Sequence, residues 1–226
     1  MVNDIELYRN VNFKLKSNTY LISSRSFLGV YVIDPGDIVP IIEWLNFHQK
    51  VVLGVFITHT HYDHIYGLND LLYYFPDIPL YINSNMKEGL FCSKLNSSKY
   101  HGEPYILDEK YIKNFHFLCS MNSNLLWRKF DVVTLCTPGH TKDSLTIKIF
   151  NFIFSGDALI PGVLFPYRNK LENTDLIKSS ILDIYNLFKG GHLLCPGHGV
   201  DYVIEESMQV DCFKPVNLCE GFSRVY

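Results

Sequence analysis

The sequence predicts an α/β fold, and three observations predict it. Short apolar runs alternate with helical patterns early in the chain, a later series of β-branched and aromatic runs is divided by turn residues, and an amphipathic pattern precedes a last apolar run. Thr19 to Ser23 and Val30 to Ile33 read as neighbouring strands. The second runs into Asp34-Pro-Gly-Asp37, a turn and helix-start signal. Pro40 then lies in a first turn, and Ile41, Ile42, Trp44, Leu45 and His48 repeat at helical spacing, so a helix is expected from Val39 to Gln49. Lys50 to Thr58 supplies a buried strand. Leu68, Leu71, Leu72 and Phe75 give a second helix stopped by Pro76, and Leu80 to Ile82 another strand. The order to this point is β-β-α-β-α-β.

Ser84 to Phe115 is dominated by Asn, Ser, Lys and Tyr, and reads as a short helix followed by an ordered surface excursion bordering the functional site. Leu125 to Phe130, Val132 to Thr137, Leu145 to Phe150 and Phe152 to Ser155 have the pattern of an antiparallel meander. A helix from Asp175 to Phe188 follows, with Leu176, Ile177, Ile181, Ile184, Tyr185 and Phe188 on its apolar face, and Leu193 to Cys195 is a last strand. Val200 to Tyr226 is too short for a second domain and carries one short helical pattern near Ile204 to Met208.

A chain of 226 residues, 47% hydrophobic and 15% aromatic, is expected to bury one core as a single domain spanning residues 1–226, which argues against extensive disorder. The net charge of -3 and the lack of a long Lys/Arg run argue against nucleic acid as a partner. No apolar run approaches a membrane span. Met1 to Asn10 carries Asp4 and Glu6 and lacks the apolar core of a signal peptide, so a cytoplasmic protein acting on a small molecule is expected. The six cysteines follow no CxxC or regular framework and read as reduced thiols, with Cys136 and Cys195 as small hydrophobes in strands.

The chemistry concentrates in Phe56-Ile-Thr-His-Thr-His-Tyr-Asp-His-Ile-Tyr-Gly67. His59 and His61 are two apart, so both imidazoles leave one face of an ending strand, and a turn returns Asp63 and His64 towards them. Imidazole and carboxylate are the ligands that zinc and its neighbours take. Three later strand ends each carry one further candidate behind a glycine: His140 in Thr137-Pro-Gly-His-Thr141, Asp157 in Phe154-Ser-Gly-Asp157 and His198 in Cys195-Pro-Gly-His-Gly199. Taken alone, His140 and His198 also admit a reading as loop histidines, and Asp157 as a turn cap. His48, His101, His116 and His192 read as surface or packing histidines.

In this order the residues resemble the metallo-β-lactamase-fold superfamily, whose signature is HxHxDH followed by a His, an Asp and a final His; the resemblance runs from Asp34-Pro-Gly to Pro196-Gly-His-Gly199. It implies a four-layer αβ/βα sandwich, two mixed sheets flanked by helices with metals at one edge. It implies that His59, His61 and His140 bind one metal, that Asp63, His64 and His198 bind a second, that Asp157 bridges them, and that Asp34 orients a ligand from behind. Two Zn²⁺ ions per chain are expected, with Fe or Mn as the other candidates.

Two metals about 3.5 to 4 Å apart hold a hydroxide between them and bring the pKa of its parent water towards neutrality, which is the equipment of a hydrolase. Asp63 is expected to steer that nucleophile as well as to ligate. The chain is similar to the glyoxalase II and lactonase branches, which implies cleavage of a thioester, lactone or related ester. Glyoxalase II uses a C-terminal helical region to hold glutathione, and the short stretch after His198 argues against a glutathione thioester. A mononuclear-iron persulfide dioxygenase using His59, His140 and Asp157 is the alternative activity, and a metal-stabilised interaction module the non-enzymatic one. Between Ile160 and Lys170, Phe165 and Tyr167 are candidates to pack an apolar part of a substrate, and Arg168 or Lys170 to pair with an anionic part, against the reading of an ordinary polar loop. Tyr66 either joins them or packs beneath the loop.

Overall fold

The computed structural model describes residues 4–118, 125–127, 130–163, 174–188 and 190–204. The chain divides into two compact units, residues 1–118 and 119–226, and each contains its own six-stranded mixed sheet.

In the first unit the strands lie in chain order: β1 (Ile5–Val11), β2 (Asn18–Ser24), β3 (Phe27–Ile33), β4 (Val51–Phe56), β5 (Leu80–Ile82) and β6 (Phe115–Phe117). β1, β2 and β3 pair antiparallel, and β3 through β6 pair parallel. Parallel neighbours require crossovers. The first is α1 (Ile38–His48); the second is α2 (Tyr62–Ile65) with α3 (Leu68–Tyr74); the third is the excursion with α4 (Met86–Leu90) and two 3₁₀ turns, Ser98–His101 and Glu109–Asn114. Parallel strands end at the same edge. The residues after β3 and β4 are therefore neighbours, and Asp34 N donates to Phe56 O at 3.0 Å.

Tyr31, Phe56 and Tyr81 fill one part of this core, Phe56 stacked on Tyr81 with centroids 4.6 Å apart and Tyr31 edge-on to Phe56 at 5.4 Å. A Cβ at Gly54 would stand 2.8 Å from the Tyr81 ring, so the glycine makes room for that stack. On the helical side Ile41, Leu45, Leu68, Leu71 and Leu72 are buried, as their spacing predicts.

Sequence and structure differ at several points in this unit. The sequence pattern does not mark β1 and β6 as strands. Neither is fully buried along its length, and both lie at sheet edges, where pairing rather than alternation defines a strand. β4 ends at Phe56 rather than Thr58, and the expected turn at Asp63 and His64 is one helical turn, α2. Asp37 precedes α1 but its side chain does not cap it; the carboxylate accepts from Phe13 N (2.6 Å) and Tyr66 Oη (2.5 Å). Gln49, at φ 52°, ends the helix one residue before the expected boundary.

The second unit has the order β12–β11–β10–β9–β8–β7. β7 (Leu125–Trp127), β8 (Phe130–Cys136), β9 (Leu145–Ile149) and β10 (Phe152–Gly156) form the expected antiparallel meander, with Trp127 opposite Phe130, so the first expected run folds back on itself. α5 (Thr174–Phe188) crosses to β11 (His192–Pro196), parallel to β10, and β12 (Tyr202–Ile204) closes the edge antiparallel. Ile177, Ile181, Ile184, Tyr185 and Phe188 of α5 join Ile153, Leu159, Leu194 and Ile204 in one core. Leu176 is 49% exposed and does not belong to that face; Ser180 lies on it instead, buried, with its hydroxyl donating to Pro138 O at 2.7 Å. The helical pattern at Ile204 meets the end of β12, and its remainder lies outside the described residues.

Candidate metal centre

Within the first unit, His59 and His61 stand on the extended segment between β4 and α2, and Asp63 and His64 on α2 itself. His59 Nε2 lies 3.2 Å from His61 Nδ1, and His64 Nε2 lies 3.5 Å from an oxygen of Asp63. The His59 and His64 ring centroids are 4.2 Å apart, so the two pairs adjoin. His59, Asp63 and His64 are buried.

Several backbone and side-chain bonds hold this segment. Tyr62 N donates to Asn96 O at 2.8 Å, tying the start of α2 to the excursion, and Asn96 in turn donates its amide to Gly89 O and Tyr105 O, each at 3.0 Å. A Cβ on Gly89 would collide with the Thr60 hydroxyl, between the first two histidines. The excursion therefore borders the histidine segment, as its composition suggested. From the other side Ser17 Oγ donates to Asp63 O at 2.7 Å and accepts from Asn12 Nδ2 at 3.0 Å, while Thr19 Oγ1 donates to Asp34 O at 2.6 Å. Asn12, Ser17 and Thr19 are buried polar residues in and beside the β1–β2 turn. Sequence reading missed them because polar residues around a turn read as exposed; a signal existed only in their concentration beside two apolar strands.

Asp34 sits behind the cluster at φ 51°. It accepts from Thr58 N (2.8 Å), Thr58 Oγ1 (2.6 Å) and His64 Nδ1 (3.0 Å). His64 is thereby turned with Nε2 towards Asp63. This is the orienting role that the resemblance implied for Asp34.

Within the second unit, His140 follows β8, Asp157 follows β10 and His198 follows β11. His140 Nε2 and His198 Nε2 each lie 3.5 Å from the same oxygen of Asp157. Gly139, at φ 144°, presses the His140 loop against α5: a Cβ there would stand 3.0 Å from Ile177 Cα. Gly156, at φ 51°, turns the chain out of β10 immediately before Asp157, and its carbonyl accepts from Gly197 N at 2.8 Å, beside His198. Here the predicted glycine-plus-ligand pattern has a direct backbone cause.

The donor set suits a divalent metal ion. Two ligands on one tetrahedral zinc, each about 2.0–2.1 Å from it, stand about 3.3 Å apart. The pairs His59–His61, Asp63–His64, His140–Asp157 and His198–Asp157 are separated by 3.2 to 3.5 Å. All seven residues thus fall in pairs spaced to share an ion.

The other candidates fall differently. Tyr66 gives its hydroxyl to Asp37; burial first, then that bond, drives its pKa far above the usual phenol value. His48, His101 and His116 are exposed and His192 is half-buried. Among the described residues Cys92, Cys136 and Cys195 stand outside any disulfide, Cys195 buried and Cys136 half-buried. Phe165, Tyr167, Arg168, Lys170, Cys119, Cys212 and Cys219 lie outside the described residues. Among the described residues no helix is long and apolar enough to cross a membrane.

The metallo-β-lactamase superfamily family model matches residues 13–202. The chain belongs to the metallo-β-lactamase superfamily. Among curated superfamily relatives it is 25% identical to a probable metallo-hydrolase of Streptococcus pyogenes over 199 residues, covering 86% of this chain and 81% of that protein. It is 29% identical to a hydroxyacylglutathione hydrolase of Shewanella oneidensis over 133 residues, 59% of this chain and 44% of the other. The chain thus spans less than half of that hydrolase. Among solved structures it is similar to the B3 metallo-β-lactamase BLEG-1, with TM-score 0.78 at 24% identity over 88% of this chain and 94% of the other. It is also similar to TTHA1623, solved in a di-iron-bound form, with TM-score 0.69 at 20% identity over 87% and 94%. These likenesses carry the fold: two mixed sheets flanked by helices. The family and the His/Asp clusters together support a metal-dependent hydrolase with a divalent metal cofactor.

Proposed function

We propose that this superfamily member is a binuclear metallo-hydrolase that cleaves a thioester, lactone or related ester, and that its two units are halves of a single catalytic domain. The observation that carries the reading is the pair of 3.5 Å approaches by His140 and His198 to one Asp157 oxygen, the arrangement of a bridging carboxylate flanked by one ligand from each metal. In this reading His59, His61 and His140 hold one metal, Asp63, His64 and His198 the other, and Asp157 both. The family match spans all seven.

Two divalent ions held together would acidify bound water and polarise a substrate carbonyl. The chain's own groups supply the orientation. Asp34 fixes the His64 ring and Ser17 fixes the Asp63 backbone, and Asp63 would direct the attacking oxygen as well as hold a metal. Burial of His59 and His64 keeps bulk water from competing for their ring nitrogens. The hydroxyacylglutathione hydrolase relatives favour a thioester or ester as the bond broken. Zinc is the proposed metal, with iron or manganese suited to the same ligands. A cytoplasmic setting is proposed, in keeping with described cysteines that stand outside any disulfide.

The test is metal analysis of the purified protein followed by a panel of thioesters, lactones, phosphodiesters and β-lactams. About two divalent ions per chain and turnover of a thioester or lactone are expected, both lost in Asp157→Ala. A single iron per chain with oxygen uptake on a persulfide would replace this reading with the dioxygenase one. Metal-loaded protein inert towards the whole panel would point to a non-catalytic module.

A further inference from the structure

The buried contacts of Thr58 form a chain that begins at Asp34 and ends on a ligand of the other proposed metal. Thr58 Oγ1 lies 2.6 Å from Asp34 Oδ2 and 3.2 Å from His59 Nδ1. Asp34 Oδ2 also accepts from His64 Nδ1. All four residues are at most 2% exposed, so solvent does not redistribute the protons among them.

Counting protons fixes the direction of each bond. A carboxylate only accepts, so the single Thr58 hydroxyl proton goes to Asp34. The hydroxyl oxygen is then an acceptor for His59, which requires the proton of the neutral His59 ring to be on Nδ1. The same carboxylate requires Nδ1–H on His64. Both rings therefore present Nε2 as the ligating atom, and the donor at the opposite nitrogen sets that choice in each case. His59 Nε2 is the atom that faces His61 at 3.2 Å.

We propose that Thr58 is a positioning residue: by giving its proton to Asp34 and taking a hydrogen bond from His59 Nδ1, it lets one carboxylate set the tautomer of a ligand at each metal. Asp34 acts on His64 directly and on His59 through the Thr58 hydroxyl. The inference rests on the binuclear reading for the word ligand, and on geometry within one unit for the tautomers.

The experiment compares the full-length protein with Thr58→Val, which keeps the side-chain shape and removes the hydroxyl, and Thr58→Ser, which keeps the hydroxyl. Imidazole ¹⁵N spectra of the metal-free proteins read the tautomers, and competition with a chromophoric chelator reads zinc affinity. The wild type and Thr58→Ser are expected to show Nδ1–H at both His59 and His64. Thr58→Val is expected to retain it at His64, lose it at His59, and bind the zinc that His59 would hold about 10- to 100-fold less tightly. Thermal unfolding identifies any loss of fold in Thr58→Val, in which case the wild-type and Thr58→Ser spectra still decide the tautomers. An Nε2–H form of His59 in the wild type, or a Thr58→Val protein with unchanged tautomer and affinity, overturns the proposal. If no variant binds metal, the binuclear reading falls while the metal-free spectra judge this inference separately.

Discussion

His64 donates from Nδ1 to Asp34 across 3.0 Å, with both side chains buried and Asp34 in the left-handed backbone region at φ 51°. A carboxylate behind an imidazole raises its basicity and fixes its ring. Asn tolerates that backbone conformation but replaces one acceptor oxygen by an amide that donates. Asp34→Asn is therefore expected to fold and to bind zinc about 10- to 100-fold less tightly, because either Thr58 or His64 meets a donor where it needs an acceptor. Chelator competition measures this. Unchanged affinity would show that His64 is held by the rest of the fold and does not need Asp34.

Ser17 links the β1–β2 turn to the histidine segment through one hydroxyl, which donates to Asp63 O and accepts from Asn12 Nδ2. Ser17→Ala removes both bonds in a site without solvent. The predicted loss of stability is about 1–3 kcal/mol, the cost of leaving buried polar groups unsatisfied, read from urea unfolding of the metal-free protein. A loss within experimental error would mean that water enters the gap and restores the bonds.

The seven proposed ligands were legible because the chemistry restricts them to few residue types and because glycines mark the strand ends that display them. The buried strands were legible as well, since most residues of β2 to β5 are buried whichever face they take, and so read as continuous apolar runs. What escaped depends on contacts distant in sequence. β1 is half-buried up to Asn10, exposed at Val11, and shows no alternation to read; its pairing with β2 makes it a strand. Asp37 has the sequence context of a cap, yet Phe13 and Tyr66, remote in sequence, take both its oxygens. Leu176 fits the helical period but falls one position outside the face that meets the sheet, and Ser180 takes the buried place through a bond to the His140 loop. The Asn12, Ser17 and Thr19 network is polar and buried, the combination that composition cannot distinguish from a surface turn.

Gly67, between α2 and α3, lies over the Asp34-Pro35-Gly36 turn. Its N–H donates to Pro35 O at 3.1 Å, and a Cβ there would collide with the Gly36 carbonyl oxygen and lie 2.9 Å from the carbonyl carbon. The obstacle is backbone and does not swing aside. Gly67→Ala must part α2 from the turn that carries Asp34, at an expected cost of about 1–3 kcal/mol for overpacking. Because the same displacement lengthens the His64–Asp34 bond, weaker metal binding is expected along with lower stability. Calorimetric unfolding together with chelator competition tests both effects, and a variant altered in neither would refute the proposed rigidity of this contact.

His192, at the start of β11, supplies a pH dependence separate from the proposed metal ligands. Burial lowers its pKa below the ordinary value of 6.5, the Lys148 charge lowers it further, and a hydrogen bond with the Phe188 backbone acts the other way. A folded pKa below the unfolded one means that the unfolded chain binds more protons in the interval between them, so stability rises with pH there. The contribution is fully present above about pH 6.5 and is lost as pH falls through the folded value. The metal-free protein is expected to lose thermal stability on going from about pH 7.5 to pH 5, and His192→Gln to lose measurably less. Lys148→Met removes the second cause while leaving the first, so its slope should fall between the two. If His192→Gln and wild type had the same slope, the acid sensitivity would have to be assigned elsewhere and His192 would not be the group that titrates.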